Sequence, residues 1–409
     1  MYAHRSIWTQ KRFLAYATGL AIDRLGNAAY ALVLPLLVYS LTQSVLNMAT
    51  MAVSQFLPRA IFSIFVGALV DKMNRRTVLI TALLFQGMCN AAVALGFQLH
   101  VLKLWMVYLA GACVSIGFEF SRTAEIAVVP VMFAEKRVEA TASLASIFTA
   151  TVFLGPLLGG WLLQHVDYPR LFWINAASYL GPIALCGLSQ IPGAVGSQTQ
   201  RSVSSVIASI RAGAAFLLRT PDLWQLFLIT LLVSLATSGL NTVLIYSLKH
   251  QQASDAYVAI FLSLGGLGML FGSIWAGKSH DVSRSRRLGQ CHLSMIGGLL
   301  LFLSANHFAI LLAQVFLSAG VFASSIMQDI VVQDFVPNEM MGRVGGFLRL
   351  LSHVTISASI ASSSVMVDIV GVTGTLLLAT AVVLLGMLLL MWKTGVEGRL
   401  VKGRLPIHD

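Results

Sequence analysis

With 409 residues, 57% of them hydrophobic and 11% charged, and a mean hydropathy of +0.82, the chain is far too apolar for a soluble domain, where about 25% of residues carry charge. A net charge of +11 would point to nucleic acid in a soluble protein. Here the Lys and Arg residues gather at Arg5/Lys11/Arg12, Lys72/Arg75/Arg76, Lys136/Arg137, Arg201/Arg211/Arg219, Lys278/Arg284/Arg286/Arg287, Arg343 and Lys393/Arg399/Lys402/Arg404, with only Lys103, Arg170 and Lys249 on the opposite loops. That asymmetry orients a membrane protein and excludes a nucleic-acid footprint.

Apolar runs of about 20 residues, the length that crosses a bilayer, predict twelve spans: 13–41, 46–70, 77–98, 104–129, 142–164, 170–191, 223–247, 257–278, 289–306, 308–333, 344–369 and 373–393. An even count returns the chain to its starting side, and the basic loops put both termini in the cytoplasm. The basic start followed by an apolar run also fits a signal peptide. Asp23-Arg24 interrupts that run, however, and it continues to about Leu41, which predicts a retained first span. The four cysteines, Cys89, Cys113, Cys186 and Cys291, lie in or beside apolar runs with no Cys-x-x-Cys spacing and no His cluster. They predict neither a disulfide nor a metal site.

Span one holds Asp23 about ten residues in, roughly 15 Å deep at 1.5 Å per residue, near the midplane of a core about 30 Å thick. Asn27 and Tyr30 share its face. A carboxylate there should hold a proton when dry and release it when hydrated, which makes Asp23 the leading proton-coupling candidate. The plainer alternative is that it neutralises Arg24 or Arg59. Arg24 turns about 100° away, toward a neighbouring helix or a cargo. Span two carries Pro58-Arg59 and ends in Gly67-Ala-Leu-Val-Asp71-Lys72-Met-Asn74-Arg75-Arg76. Gly67 there permits close helix approach, and Asp71 can pair with Arg75 or Arg76 as a gate latch; the alternative is a basic loop that only orients the chain.

In span four, Glu119, Arg122 and Glu125 are spaced so that neighbours touch, giving a switchable ion pair and two further proton-coupling candidates. Span five contains Gly155-Pro156-Leu-Leu-Gly159-Gly160, a kink with close-packing glycines. Residues 193–222 form a Gly/Ser/Gln-rich, then basic linker, within which Val203–Leu218 has the spacing of an amphipathic surface helix. Gly277-x-x-x-Asp281, followed by Arg284, Arg286 and Arg287, echoes the Gly67–Arg76 loop after span eight. Span seven offers Ser234, Thr237, Ser238, Asn241 and Thr242, and span ten ends with Asp329 and Asp334, either gate residues or solvated helix-end carboxylates.

The Gly67 loop resembles the signature between helices 2 and 3 of the major facilitator superfamily, and Gly155–Gly160 is similar to the core of its antiporter signature. The two further upstream glycines of that signature are replaced by Ala142 and Thr151. The segments Leu34–Ser44, Leu57-Pro58, Arg211–Arg219 and Val336–Val344 resemble the macrolide-efflux and enterobactin-exporter branch. The superfamily's arginine signature in span four is missing, since Tyr108 to Ile116 has no basic residue. The resemblance implies an all-α integral membrane protein of twelve transmembrane helices in two pseudo-symmetric six-helix bundles, 1–192 and 223–409, the second ending in a short basic tail. It implies a monomer in the bacterial inner membrane that exports amphipathic small molecules, a drug or a siderophore-like metabolite, by proton antiport and alternating access. The proton gradient, and no cofactor, would drive it; no Gly-x-x-x-x-Gly-Lys-Ser/Thr occurs to suggest ATP.

Spans one, four, seven and ten line the central cavity in that family, so Arg24, Asn27, Tyr30, Arg122 and Asn241 are the expected cargo contacts. Gly67, Asp71, Arg75, Arg76, Asp281, Gly155, Pro156, Gly159, Gly160 and Asp329 are the expected gate. Arginines at mid-depth suit a cargo bearing carboxylates. Uptake of a similar solute is the second reading. A membrane-embedded enzyme or sensor is the third, and the nine scattered histidines argue against an enzyme.

Overall fold

The computed structural model describes residues 6–70, 73–188, 203–278, 284–304 and 306–392, and every regular element among them is helical. After a short 3-10 turn (Ile7–Thr9) come α1 (Lys11–Thr42), α2 (Val45–Val70), α3 (Arg75–Gln98), α4 (Leu104–Met132), α5 (Arg137–His165), α6 (Tyr168–Ser178) and α7 (Leu180–Leu188). Then follow α8 (Val203–Arg219), α9 (Pro221–Thr237), α10 (Leu240–His250), α11 (Asp255–Lys278), α12 (Arg284–Phe302), α13 (His307–Phe335) and α14 (Asn338–Trp392). Helix is the expected state for such runs, because hydrocarbon leaves backbone N–H and C=O groups no partner except one another. Among the described residues eight helical stretches are long and apolar enough to cross a membrane, Leu223–His250 of α9 and α10 counting as one.

Helix occupies each predicted span, but three spans are shaped differently from expectation. Span six is two helices, α6 and α7, parted at Tyr179; Pro182 lacks the N–H that would bond back to Ser178, which explains the break. Span seven divides into α9 and α10 at Ser238-Gly239. There the Gly239 N–H leaves the helix and donates to Ser359 Oγ at 2.7 Å. Spans eleven and twelve run on as α14 with a single non-helical residue, Gly371 (φ 73°, ψ 175°). Val344 packs near Leu223 and Phe227, Ser359 lies against Gly239, Gly386 faces Val233, and Leu390 joins Ile229. The chain thus ascends beside α9, reverses at Gly371 and descends beside it again.

The chain divides into two compact units, Met1–Ser209 with Leu248–Ser263, and Ile210–Ser247 with Leu264–Asp409. In the first, α1 packs along α5 and α7, α4 receives α2 and α3, and α3 meets α6. The glycines of span five seat this arrangement. A methyl group at Gly155 would collide with Ala28, one at Gly159 would come 3.0 Å from the Ala29 carbonyl oxygen, and one at Gly160 would collide with Ala259. Pro156 lies inside an otherwise continuous α5. At the basic end, Ile7 is fully buried with Phe13, Tyr16, Val70 and Phe133. Glu139 fastens this corner, accepting hydrogen bonds from the Ile7 N–H at 2.8 Å and Ser6 Oγ at 3.1 Å.

In the second unit α9 packs on α14 and α12 on α13 and α14. The helix predicted in the linker is present as α8, whose Leu217 is fully buried with Leu223, Val336 and Val344. Its Gly213 lies so close to the Arg343–Val344 backbone that a side chain would collide with it. Residues 193–202 of the expected linker lie outside the described residues.

Candidate functional site

Ionised groups in hydrocarbon are costly and tend to be functional, so the site is built outward from the charges of α1, α2 and α4. Asp23 (3% exposed), Arg24 (5%) and Glu125 (5%) are all buried. Arg24 Nη2 donates to Glu125 Oε2, joining α1 to α4. Arg122, one turn before Glu125, stands 3.9 Å from the same oxygen with about half its side chain exposed. Glu125 therefore has one close arginine and a second within reach.

Asp23 is held differently. Its Oδ1 accepts from Asn27 Nδ2 at 2.9 Å, and Asn27 Oδ1 accepts from the Tyr179 hydroxyl at 3.0 Å. Oδ2 of Asp23 is buried with no hydrogen-bond partner, as is the Tyr16 hydroxyl. Beside them lies a void of about 20 Å³ lined by Tyr16, Gly19, Asp23, Glu125, Pro182 and Cys186. That is room for one water, with two carboxylates and a phenol on its wall. The asparagine side of the cluster continues through Asn175 Nδ2 to Asn90 Oδ1 at 3.0 Å. Gly26 makes room for this chain, since a methyl group there would come 2.9 Å from Ser178 Oγ and 3.2 Å from Asn175 Oδ1.

The guanidinium of Arg24 also lies over the ring of Phe118, 4.8 Å from its centroid, and that of Arg59 lies 4.6 Å from the same ring. Aromatic faces attract such cations by about 0.5–2 kcal/mol, more when water is excluded. Glu119 adjoins Phe118 in sequence and is partly exposed.

Among the expected cargo contacts, Arg24, Asn27, Arg122 and the carboxylates come together as one cluster. Arg24 is committed to Glu125 and Asn27 to Asp23 and Tyr179, while Tyr30 is buried edge-on against Phe172 at 5.7 Å. Asn241 lies in the other unit, where its Oδ1 accepts from Gln314 Nε2 at 3.3 Å. Of the expected gate, Asp71 and Asp281 lie outside the described residues. Gly67 was expected to admit a close neighbour, yet a methyl group there would meet nothing within 4 Å, because it sits near the open end of α2. Asn74, in the same loop, caps α3, its Oδ1 accepting from the Arg76 and Thr77 N–H groups at 3.0 and 3.3 Å, a contribution of about 1 kcal/mol. Arg75 and Arg76 form the first turn of that helix. Asp329 is exposed on α13, six residues before its last residue, Phe335.

The Asn74 cap could have been read from its place just before an apolar helix. The polar residues Gln86, Asn90 and Asn175 inside apolar spans were a signal of the same kind. The shared Phe118 ring carried none, since one aromatic among many in a span predicts packing.

Comparison with known proteins agrees with this frame. The family model for the Major Facilitator Superfamily matches residues 16–362. An uncharacterised transporter of the same type, YfiS of Bacillus subtilis, is 25% identical over 350 residues, covering 83% of each chain. Macrolide efflux protein A of Streptococcus pyogenes is 21% identical over 343 residues, 82% of this chain and 84% of that protein. In fold, the crystal structure of the nucleoside transporter NupG superposes with a TM-score of 0.77 at 11% identity, covering 93% of this chain and 98% of that one. A bacterial homologue of the iron transporter ferroportin, in an inward-facing state, gives a TM-score of 0.69 at 16% identity, covering 95% and 99%. At such identities the two structures speak to the fold alone. The chain belongs to the major facilitator superfamily and is a multi-pass membrane transporter with efflux pumps among its relatives.

Proposed function

We propose that the protein exports amphipathic small molecules from the bacterial cytoplasm in exchange for protons, with both termini and the basic loops on the cytoplasmic side. The observation that carries the reading is the buried cluster of Asp23, Arg24 and Glu125 on α1 and α4. Its two carboxylates border one water-sized void, and only one of them has an arginine at close range. The efflux relatives, macrolide efflux protein A and a multidrug efflux pump of Mycolicibacterium fortuitum, support the outward direction. The seating of α5 on α1 by Gly155 and Gly159 supports an exporter of the antiporter type.

In this mechanism Asp23 takes the proton. Its Oδ2 has no protein partner, and its side chain lines the water-sized void. Hydration of the void on opening to the cytoplasm lets the proton leave. Glu125, tied to Arg24 across α1 and α4, serves as the conformational lock. The efflux relatives and the mid-depth arginines support an amphipathic cargo, a drug or a siderophore-like metabolite. The test is paired proton and cargo flux in proteoliposomes under an imposed pH gradient, using erythromycin, ethidium and 1-naphthoate as probes. Acid-inside vesicles should accumulate one of them while losing protons. Accumulation with protons moving alongside cargo would establish uptake instead.

A further inference from the structure

Among the described residues of α1, α2 and α4, Arg59 is the interior cation without an ion-pair partner. It lies in α2, fourteen residues from the start of that helix, about 21 Å along its axis at 1.5 Å per residue. Its Nε is buried and bonds to nothing, and among the described residues no carboxylate oxygen comes within 4.0 Å of it, Glu119 included. The two other arginines of the cluster differ. Arg24 is consumed by Glu125, and Arg122 has Glu125 within 4.0 Å and solvent access to half its side chain. Phe118 at 4.6 Å and Phe56 at 5.8 Å lie against the Arg59 guanidinium. Rings on a guanidinium leave its donors, which lie in its plane, to a partner arriving edge-on, and a planar carboxylate fits that edge with two parallel hydrogen bonds.

We infer that Arg59, held by Phe118 and Phe56, is the docking point for a carboxylate carried on an apolar, ring-bearing cargo. This rests on the transporter reading above and deepens it by naming an anionic class of cargo. Without an ion-pair partner among the described residues, the charge has its desolvation only partly offset by the Phe118 and Phe56 rings, and an arriving anion would offset more. The aromatic shelf explains why the cargo body is apolar, since ring surfaces of Phe118 and Phe56 flank the same place. Arg24, on the same Phe118 ring but paired, positions the ring and is not itself a contact of the carboxylate.

The experiment compares binding of 1-naphthoate and of 1-naphthamide, equal in shape and different in charge, to the full chain in lipid nanodiscs by isothermal titration. The wild type should bind the carboxylate at least tenfold more tightly. Arg59→Gln should bring the two within twofold while leaving amide binding intact. Arg59→Lys, which keeps the charge and loses the planar fork, should retain only part of the preference. Equal binding of both probes by the wild type, or an undiminished preference in either variant, overturns the inference. If naphthoate is preferred but no proton-driven efflux is found, the exporter reading falls and the subsite stands. Efflux without any preference for the carboxylate gives the converse.

Discussion

The two compact units share a helical plan and differ in what they bury. The first sets Asp23, Arg24 and Glu125 inside its α1–α4 contact. The second unit joins its helices through amides, nearer the opposite end: Gln314, eighth residue of α13, is 2% exposed and bonds to Asn241 on α10, whereas Glu125 is the twenty-second residue of α4. Among its described residues it buries serines, threonines, Gln314, Arg287 and His292, and no carboxylate. Both units use a glycine to bring two helices into backbone contact, Gly155 on Ala28 in the first and Gly239 on Ser359 in the second. On the proposed antiport mechanism the first half supplies the titrating carboxylates, and the second, which buries none among its described residues, is expected to stay electrically constant while sharing the same mechanics.

The sharpest way to break this comparison is to strip one partner from the buried pair. Glu125→Gln should leave Arg24 buried and unpaired, costing about 3–5 kcal/mol. It should lower the thermal unfolding temperature in detergent markedly and abolish transport. The double variant Arg24→Met/Glu125→Leu should recover much of the stability and none of the transport; recovered transport would show that the pair is only structural. Next in size, Gly155→Val should separate α1 from α5 and Gly239→Val should separate α10 from the first half of α14. Each is expected to cost about 1–3 kcal/mol from overpacking, read by thermal unfolding, and similar losses would confirm that the mechanics are duplicated.

Asp23→Asn keeps size and most hydrogen bonding. It should remove accumulation of cargo against a pH gradient, at least tenfold, while sparing downhill exchange. If Glu119→Gln uncouples and Asp23→Asn does not, the proton carrier is in span four beyond the buried pair. The smallest effect belongs to the amides. Gln314→Leu breaks one neutral hydrogen bond worth about 0.5–1.5 kcal/mol and should change proton-coupled flux less than threefold. A tenfold loss there would end the view that the second unit is electrically passive.

Much of this was legible in the chain itself. Apolar length located the helices, eight stretches of which are long and apolar enough to cross a membrane among the described residues, because a bilayer demands about 20 residues of helix wherever hydrocarbon must be crossed. Asp23 and Asn27 were placed on one face by a spacing of four, and they do bond to each other. Partners distant in sequence were not legible. Arg24 meets Glu125 across 101 positions and Asn27 meets Tyr179 across 152, and spacing within one helix says nothing of which neighbour it faces. This is why Arg24 was expected to reach either a neighbouring helix or a cargo, and the partner it has on α4, Glu125, was not named. The breaks in spans six and seven carried local signals, Gly181-Pro182 and Ser238-Gly239, that apolar length alone overrides.

The reversal at Gly371 bears on how the protein is made. A φ of 73° with ψ of 175° is a conformation open essentially to glycine alone, and with one residue outside helical geometry there is no hydrophilic loop to deliver across the bilayer. Spans eleven and twelve are therefore expected to enter the membrane together, as a preformed pair rather than one after the other. A ribosome stalled between them would hold a chain whose last apolar segment has no return path. Gly371→Val, or a tag inserted at that point, should accordingly be felt during biogenesis, as degraded or half-inserted chains, before any effect on transport could be measured.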